Sequence, residues 1–252
     1  MARVVADLGN SRLKWGLVDD SGRLTQTIAL PLNETPAWVA AWGKWCEAGA
    51  PLSDWAVSSV NPPVAHGLQT FFKCMGVATV RWFRSAADVA VRHELEAPEA
   101  TGADRALAVA AAVAMAPGDR PGLIVSCGTA ITVERISKQG IWQGGAIAPG
   151  LAVVARALQS HTAMLPLAEP SQPPPAWGAS TIPALEAGVY WGTVGAVREL
   201  VERQKADLGS DPWVIWTGGD AALLAGAIAG SNARVEPDLV LMGLCRAVSL
   251  SG

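Results

Sequence analysis

Three short segments of this 252-residue sequence end an apolar run with a glycine beside a hydroxyl, amide or carboxylate. Val5-Ala6-Asp7-Leu8-Gly9-Asn10-Ser11 has an internal echo in Ile124-Val125-Ser126-Cys127-Gly128-Thr129-Ala130, and Thr217-Gly218-Gly219-Asp220 forms a third turn. Glycine lets an anion approach the main chain closely, so such turns can present backbone N–H groups to phosphate. Two of them, one in each half, can hold a polyphosphate from both sides. The third follows a strand and precedes a helix, a place suited to a nucleotide's sugar or α-phosphate. A single glycine turn is structural more often than it is a phosphate site; three in this order carry more weight.

Two carboxylates stand beside these turns. Asp7 fits Mg²⁺, which usually takes one or two carboxylates plus phosphate oxygens, and it also fits a turn aspartate bonding its own backbone. Asp104 opens an alanine-rich helix in Gly102-Ala103-Asp104-Arg105. An acid there stabilises a helix N-terminus by ~0.3–1 kcal/mol. It could equally be the base that phosphoryl transfer needs in addition to positioning and charge stabilisation. The residues alone leave both readings open. Arg105 can grip a carboxylate bidentately or serve a structural ion pair. Lys14 and Arg12 bring positive charge to the first turn, with a surface lysine as the plainer reading of Lys14.

The elements that must position these groups read as α/β. Arg3 to Val18 predicts two strands around Gly9-Asn10-Ser11. Trp38, Trp42 and Trp45 recur at helical spacing, which places them on one face of a helix over 36–47. Strands are expected at 54–60, 77–83, 122–125 with a second to 136, and 213–216. Helices are expected at 64–75, 102–115, 151–159, 182–204, from 221, and 239–248. Pro170 to Pro175 reads as a stiff loop, and the lone His161 is assigned no chemistry. Length allows two domains, expected as 1–105 and 106–252.

Composition narrows the classes further. The formal net charge is −3 with no basic cluster, which argues against a nucleic-acid partner. Cys46, Cys74, Cys127 and Cys245 are scattered and read as reduced thiols, and the histidines make no metal spacing. No apolar run reaches the ~20 residues that span a bilayer, and no export signal precedes Val4, so a cytoplasmic metabolite enzyme without a membrane partner is expected.

In the combined order of its motifs the sequence resembles the type III pantothenate kinases, within the superfamily of acetate kinase, sugar kinases, heat-shock chaperones and actin. The motifs are Asp7-Leu8-Gly9-Asn10-Ser11, Gly102-Ala103-Asp104-Arg105, Gly128-Thr129-Ala130-Ile131-Thr132, Gly144-Gly145-Ala146-Ile147-Ala148-Pro149-Gly150, His161-Thr162-Ala163-Met164-Leu165-Pro166, Gly178-Ala179-Ser180-Thr181 and Thr217-Gly218-Gly219-Asp220. The resemblance implies two actin-like (ribonuclease H-like) domains with a nucleotide cleft between them. It also implies ATP-dependent phosphorylation of pantothenate at its primary hydroxyl, the first step of coenzyme A biosynthesis. Homodimers, Mg²⁺ and a monovalent cation, K⁺ or NH₄⁺, accompany that activity in the family.

By the same resemblance Asp104 is the catalytic base, and Gly102, Ala103, Asp104, Arg105 and Thr181 lie with the substrate. Asp7, Leu8, Gly9, Asn10, Ser11, Arg12, Leu13 and Lys14 form the ATP segment, joined by Gly128, Thr129, Thr217, Gly218 and Gly219. Asp7 meets Mg²⁺ through water. Two departures stand out. Ser126 occupies the position where the family usually has an aspartate associated with the monovalent cation, which puts that requirement in doubt. Leu95 stands where the family has an aromatic residue near the substrate. Together they motivate an alternative, a weakly active or non-catalytic homologue acting as a regulatory accessory protein.

Overall fold

Alternation along the first strands decides which side chains meet the core and which meet the chemistry. The computed structural model describes residues 3–116, 118–209 and 211–249. These fall into two compact units, Met1–Met115 with Asp238–Gly252, and Ala116–Pro237.

In the first unit β1 (Val4–Leu8), β2 (Leu13–Val18), β3 (Leu24–Leu30), β4 (Asp54–Ser59) and β5 (Thr79–Phe83) build one sheet in the order β3-β2-β1-β4-β5. β1 runs antiparallel to β2 and parallel to β4. Val4, Ala6 and Leu8 point to one face, with Leu13, Trp15, Trp55 and Val57 beside them. Helices α1 (Thr35–Glu47) and α2 (Pro62–Cys74) close over that face. The tryptophan spacing predicted for α1 holds: Trp38 and Trp45 are buried, and Trp42 stacks on Trp55 at a centroid distance of 5.9 Å. The tryptophans therefore form core, and Trp15 meets Trp55 edge-on at 5.1 Å.

The opposite face carries Val5, Asp7, Lys14 and Ser58, under α3 (Ala103–Met115) and α7 (Leu239–Ser249). These two helices pack backbone to backbone. A methyl on Gly243 would lie 2.1 Å from the Leu107 carbonyl oxygen, so only glycine permits this approach.

The second unit repeats the pairing scheme. β6 (Gly122–Cys127), β7 (Ala130–Ile136), β8 (Trp142–Pro149), β9 (Trp213–Thr217) and β10 (Arg234–Val235) lie in the order β10-β9-β6-β7-β8. β6 is antiparallel to β7 and parallel to β9, as β1 is to β2 and β4. α4 (Leu151–Ser160), the 28-residue α5 (Thr181–Leu208) and α6 (Ala221–Ala229) pack on the face of Leu123, Val125 and Cys127. The internal echo of the sequence is thus a duplicated sheet.

The structure departs from the sequence reading in places. β3, β8 and β10 were not expected as strands. Much of β3 is exposed, β8 contains Gly144-Gly145, and β10 has two residues, so none shows a sustained apolar alternation. The expected boundary at 105/106 falls inside the continuous helix α3, and α7 belongs with the first unit because it packs on α3 and β1.

Candidate active site

Strand register assembles one row of candidate residues in the first unit. Asp7 pairs directly with Lys14 on β2 and with Ser58 on β4, so all three side chains stand in one row on the same sheet face. Asp104, in the first turn of α3, acts electrostatically on Asp7 from above that row. Two carboxylates identified in separate motifs therefore lie within electrostatic reach of each other. The Asp7 carboxyl is pushed up to about 7, first by burial and next by the Asp104 charge, against smaller opposing effects of Lys14 and Ser58. The Ser58 influence is one of proximity, because neither Asp7 Oδ1 nor Ser58 Oγ has a hydrogen-bond partner among the described residues.

Gly102 explains how Asp104 reaches its place. A methyl there would lie 2.5 Å from Asp104 Oδ1 and 3.1 Å from Val60 Cγ1, so the glycine leaves the room the carboxylate occupies. The Arg105 N–H donates to Asp104 Oδ1 at 2.9 Å, which fixes the side chain over the helix start. A cavity of about 360 Å³ lies beside this segment, lined by Ser59, Val60, Arg84, Glu99 and Gly102 among others. That volume lies within the ~300–1,000 Å³ range of small-molecule sites.

The first turn itself is short. Gly9 N–H donates to the Arg12 carbonyl at 3.1 Å, so this amide closes the hairpin and is not offered outward. Asn10, Ser11 and Arg12 are exposed at its tip, whereas Leu8 and Leu13 are fully buried and can offer a ligand only backbone. Lys14 Nζ donates to Asp238 Oδ1 at 3.0 Å, a pairing that no local sequence pattern signals.

In the second unit the remaining glycine turns come together. Ser126 pairs with Thr132 on β7 and Thr217 on β9, the counterparts of Asp7 with Lys14 and Ser58. The turn after it is one residue tighter: Ser126 pairs with Thr132 six positions on, Asp7 with Lys14 seven. Gly128 N–H again closes the turn, donating to the Ala130 carbonyl at 3.2 Å. Gly218 adopts φ +97°, and a methyl on it would lie 2.3 Å from the Cys127 carbonyl oxygen. The Thr217-Gly218-Gly219-Asp220 turn is thereby laid flat against the Gly128-Thr129 turn, and the Asp220 N–H donates to that same Cys127 oxygen at 3.0 Å.

Two helix starts converge here. Asp220 caps α6, and Gly150 caps α4 while its N–H donates to the Thr129 carbonyl at 3.0 Å. Helix N-termini carry about half a positive charge, so the turn at 128–129 is favourable for an anion. Cys127 is no nucleophile; burial and the Asp220 charge push its thiol up to about 12. Thr181 is exposed in the first turn of α5, after Gly178, which packs against Pro183 and Ala184.

The donor sets differ in what they can hold. A buried carboxylate oxygen with no hydrogen-bond donor, as at Asp7, suits Mg²⁺ or its water. The equivalent row in the second unit, Thr132, Ser126 and Thr217, offers hydroxyls without a carboxylate and is a poor match for a charge-held cation. Among the described residues no cluster of three His, Cys, Asp or Glu could bind a metal alone, and no helix is long and apolar enough to cross a membrane.

The sequence model of the type III pantothenate kinases matches residues 3–203. A type III pantothenate kinase from Dehalococcoides mccartyi is 40% identical over 188 residues, 74% of this chain and 70% of the relative. Another, from Akkermansia muciniphila, is 33% identical over 254 residues and spans all of both chains. Among solved structures, the activator of 2-hydroxyisocaproyl-CoA dehydratase from Clostridium difficile with bound ADPNP superposes with a TM-score of 0.56 at 12% identity. It covers 100% of this chain and 96% of that one, a likeness of fold.

Proposed function

Because the chain belongs to the type III pantothenate kinase family, we propose that it transfers the γ-phosphoryl group of ATP to the primary hydroxyl of pantothenate, giving 4′-phosphopantothenate. The observation that carries this reading is the placing of Asp104 within electrostatic reach of Asp7, with Gly102 making room for the second carboxylate.

The roles follow from chemistry. Asp104 receives the proton of the attacking hydroxyl, held in place by the Arg105 N–H. Asp7 would hold Mg²⁺, directly or through water, and the metal would supply charge neutralisation on the terminal phosphates. Lys14, on the neighbouring strand, offers a point charge to the same phosphates. The Gly128-Thr129 and Thr217-Gly218-Gly219 turns, backed by the starts of α4 and α6, favour the phosphate chain electrostatically. Gly102 to Arg105 and the adjoining cavity receive the acceptor, with Arg105 meeting its carboxylate.

Two finer points belong to the same reading. The hydroxyl row at Ser126 argues that turnover proceeds without a bound K⁺ or NH₄⁺. Large apolar side chains exposed in the second unit, Ile147, Met164, Trp177 and Ile182, support a homodimer with Thr181 beside the shared surface.

The test is purified protein with ATP, Mg²⁺ and pantothenate, assayed by mass spectrometry in K⁺, NH₄⁺ and Na⁺ buffers. Phosphopantothenate at equal rates in all three is expected. Absence of product from folded protein would return the accessory-protein alternative, and a strict K⁺ requirement would overturn the reading of Ser126.

A further inference from the structure

Ser58 on β4 is the register partner of Asp7 on β1, and neighbouring strands lie only about 4.8 Å apart, so the two side chains stand within reach of each other. Yet neither Asp7 Oδ1 nor Ser58 Oγ, both buried, has a hydrogen-bond partner among the described residues. Buried polar groups nearly always find a partner, so two orphans side by side mark a bond that another state of the site completes. The charged groups that act on Asp7 are already engaged. Lys14 Nζ donates to Asp238 Oδ1 at 3.0 Å, and Asp104 Oδ1 accepts the Arg105 N–H at 2.9 Å. The Ser58 hydroxyl is the neutral donor left over. Ser58 is fully buried while Asp7 keeps part of its surface, so the hydroxyl backs the carboxylate from the inner side. The duplicated sheet also carries a hydroxyl at this register, Thr217 on β9 beside Ser126.

We propose that Ser58 is a positioning residue for phosphoryl transfer: its hydroxyl donates to the Asp7 carboxylate when that group takes up Mg²⁺, and so fixes the carboxylate's orientation. The inference rests on the reading of Asp7 as the metal carboxylate. In the unliganded chain the hydroxyl is a buried, unpaired group that contributes nothing to the fold; its contribution belongs to the metal-bound state. A serine that served the fold alone would show the reverse, a loss of stability without a loss of metal preference.

The experiment uses the full chain with Ser58→Ala, which removes the hydroxyl, and Ser58→Cys, which keeps the shape but donates only weakly. Urea unfolding in EDTA reads the fold, and ATP is titrated calorimetrically in Mg²⁺ and in EDTA. Ser58→Ala is expected to unfold at a urea concentration no lower than the wild type. In both variants affinity for Mg²⁺·ATP is expected to fall about tenfold while affinity for metal-free ATP holds. Failure of Ser58→Ala to fold, or its unfolding at lower urea, would overturn the proposal, because the hydroxyl would then serve the fold. Equal weakening of both forms of ATP, or a Ser58→Cys protein that binds Mg²⁺·ATP like the wild type, would overturn it too. A wild type that binds both forms alike, or neither, removes the metal reading of Asp7 and the inference with it. A wild type that favours Mg²⁺·ATP, with variants that favour it equally, removes the role of Ser58 alone.

Discussion

Replacing Asp7 by asparagine should abolish function while making the protein more stable, and the size of the effect follows from its surroundings. The Asp7 carboxyl rises from its ordinary 3.8 to about 7, through burial first and the Asp104 charge second. A raised acid pKa means that the folded chain holds its proton more tightly than the unfolded chain does. The contribution to stability is therefore complete below about pH 4 and is lost as pH climbs through about 7. At 1.36 kcal/mol per unit, a rise of about three units costs the folded protein about 4 kcal/mol by pH 8. Asparagine carries no such penalty. Urea unfolding of both proteins in EDTA, at pH 4 and pH 8, measures the difference, with titrating groups remote from Asp7 and Asp104 cancelling. The stability gap in favour of Asp7→Asn is expected to widen by about 4 kcal/mol between the two pH values. A gap that stays constant would refute the burial of this carboxylate beside a second one, and with it the geometry of the site.

Other substitutions probe the scaffold. Gly218→Ala forces a side chain into φ +97° and against the Cys127 carbonyl, so thermal unfolding should show a loss of about 2–4 kcal/mol together with weaker ATP binding by calorimetry. Gly243→Ala pushes α7 from Leu107 and should cost about 1–3 kcal/mol in urea unfolding. Ser126→Asp restores a carboxylate among Thr132 and Thr217, and rates in K⁺ and Na⁺ buffers, equal in the wild type, should then diverge.

Much of the candidate site's local geometry was legible because its parts are local. The hairpins around Gly9 and Gly128 are written in a few consecutive residues, and so is the spacing that puts Gly102 beneath Asp104. The duplication was readable for the same reason, since each half begins with the same strand and turn. What escaped was set by pairing across distance. Ser58 joins Asp7 only through the parallel register of β1 with β4, and Asp238 reaches Lys14 from 224 positions away. β3 and β8 are edge strands, exposed along much of their length, so they lack the apolar alternation that marks a strand. The close approach of α7 to α3 is permitted by Gly243, whose meaning appears only once Leu107 lies against it.

Whether Asp104 takes the proton from the acceptor alcohol is decided by one comparison. Single-turnover formation of phosphopantothenate is measured for the wild type and Asp104→Asn, both saturated with Mg²⁺·ATP as verified by calorimetry. A loss of about 10²–10⁴-fold in the transfer rate is expected, with nucleotide binding intact. An Asp104→Asn enzyme that transfers phosphate at the wild-type rate would contradict it.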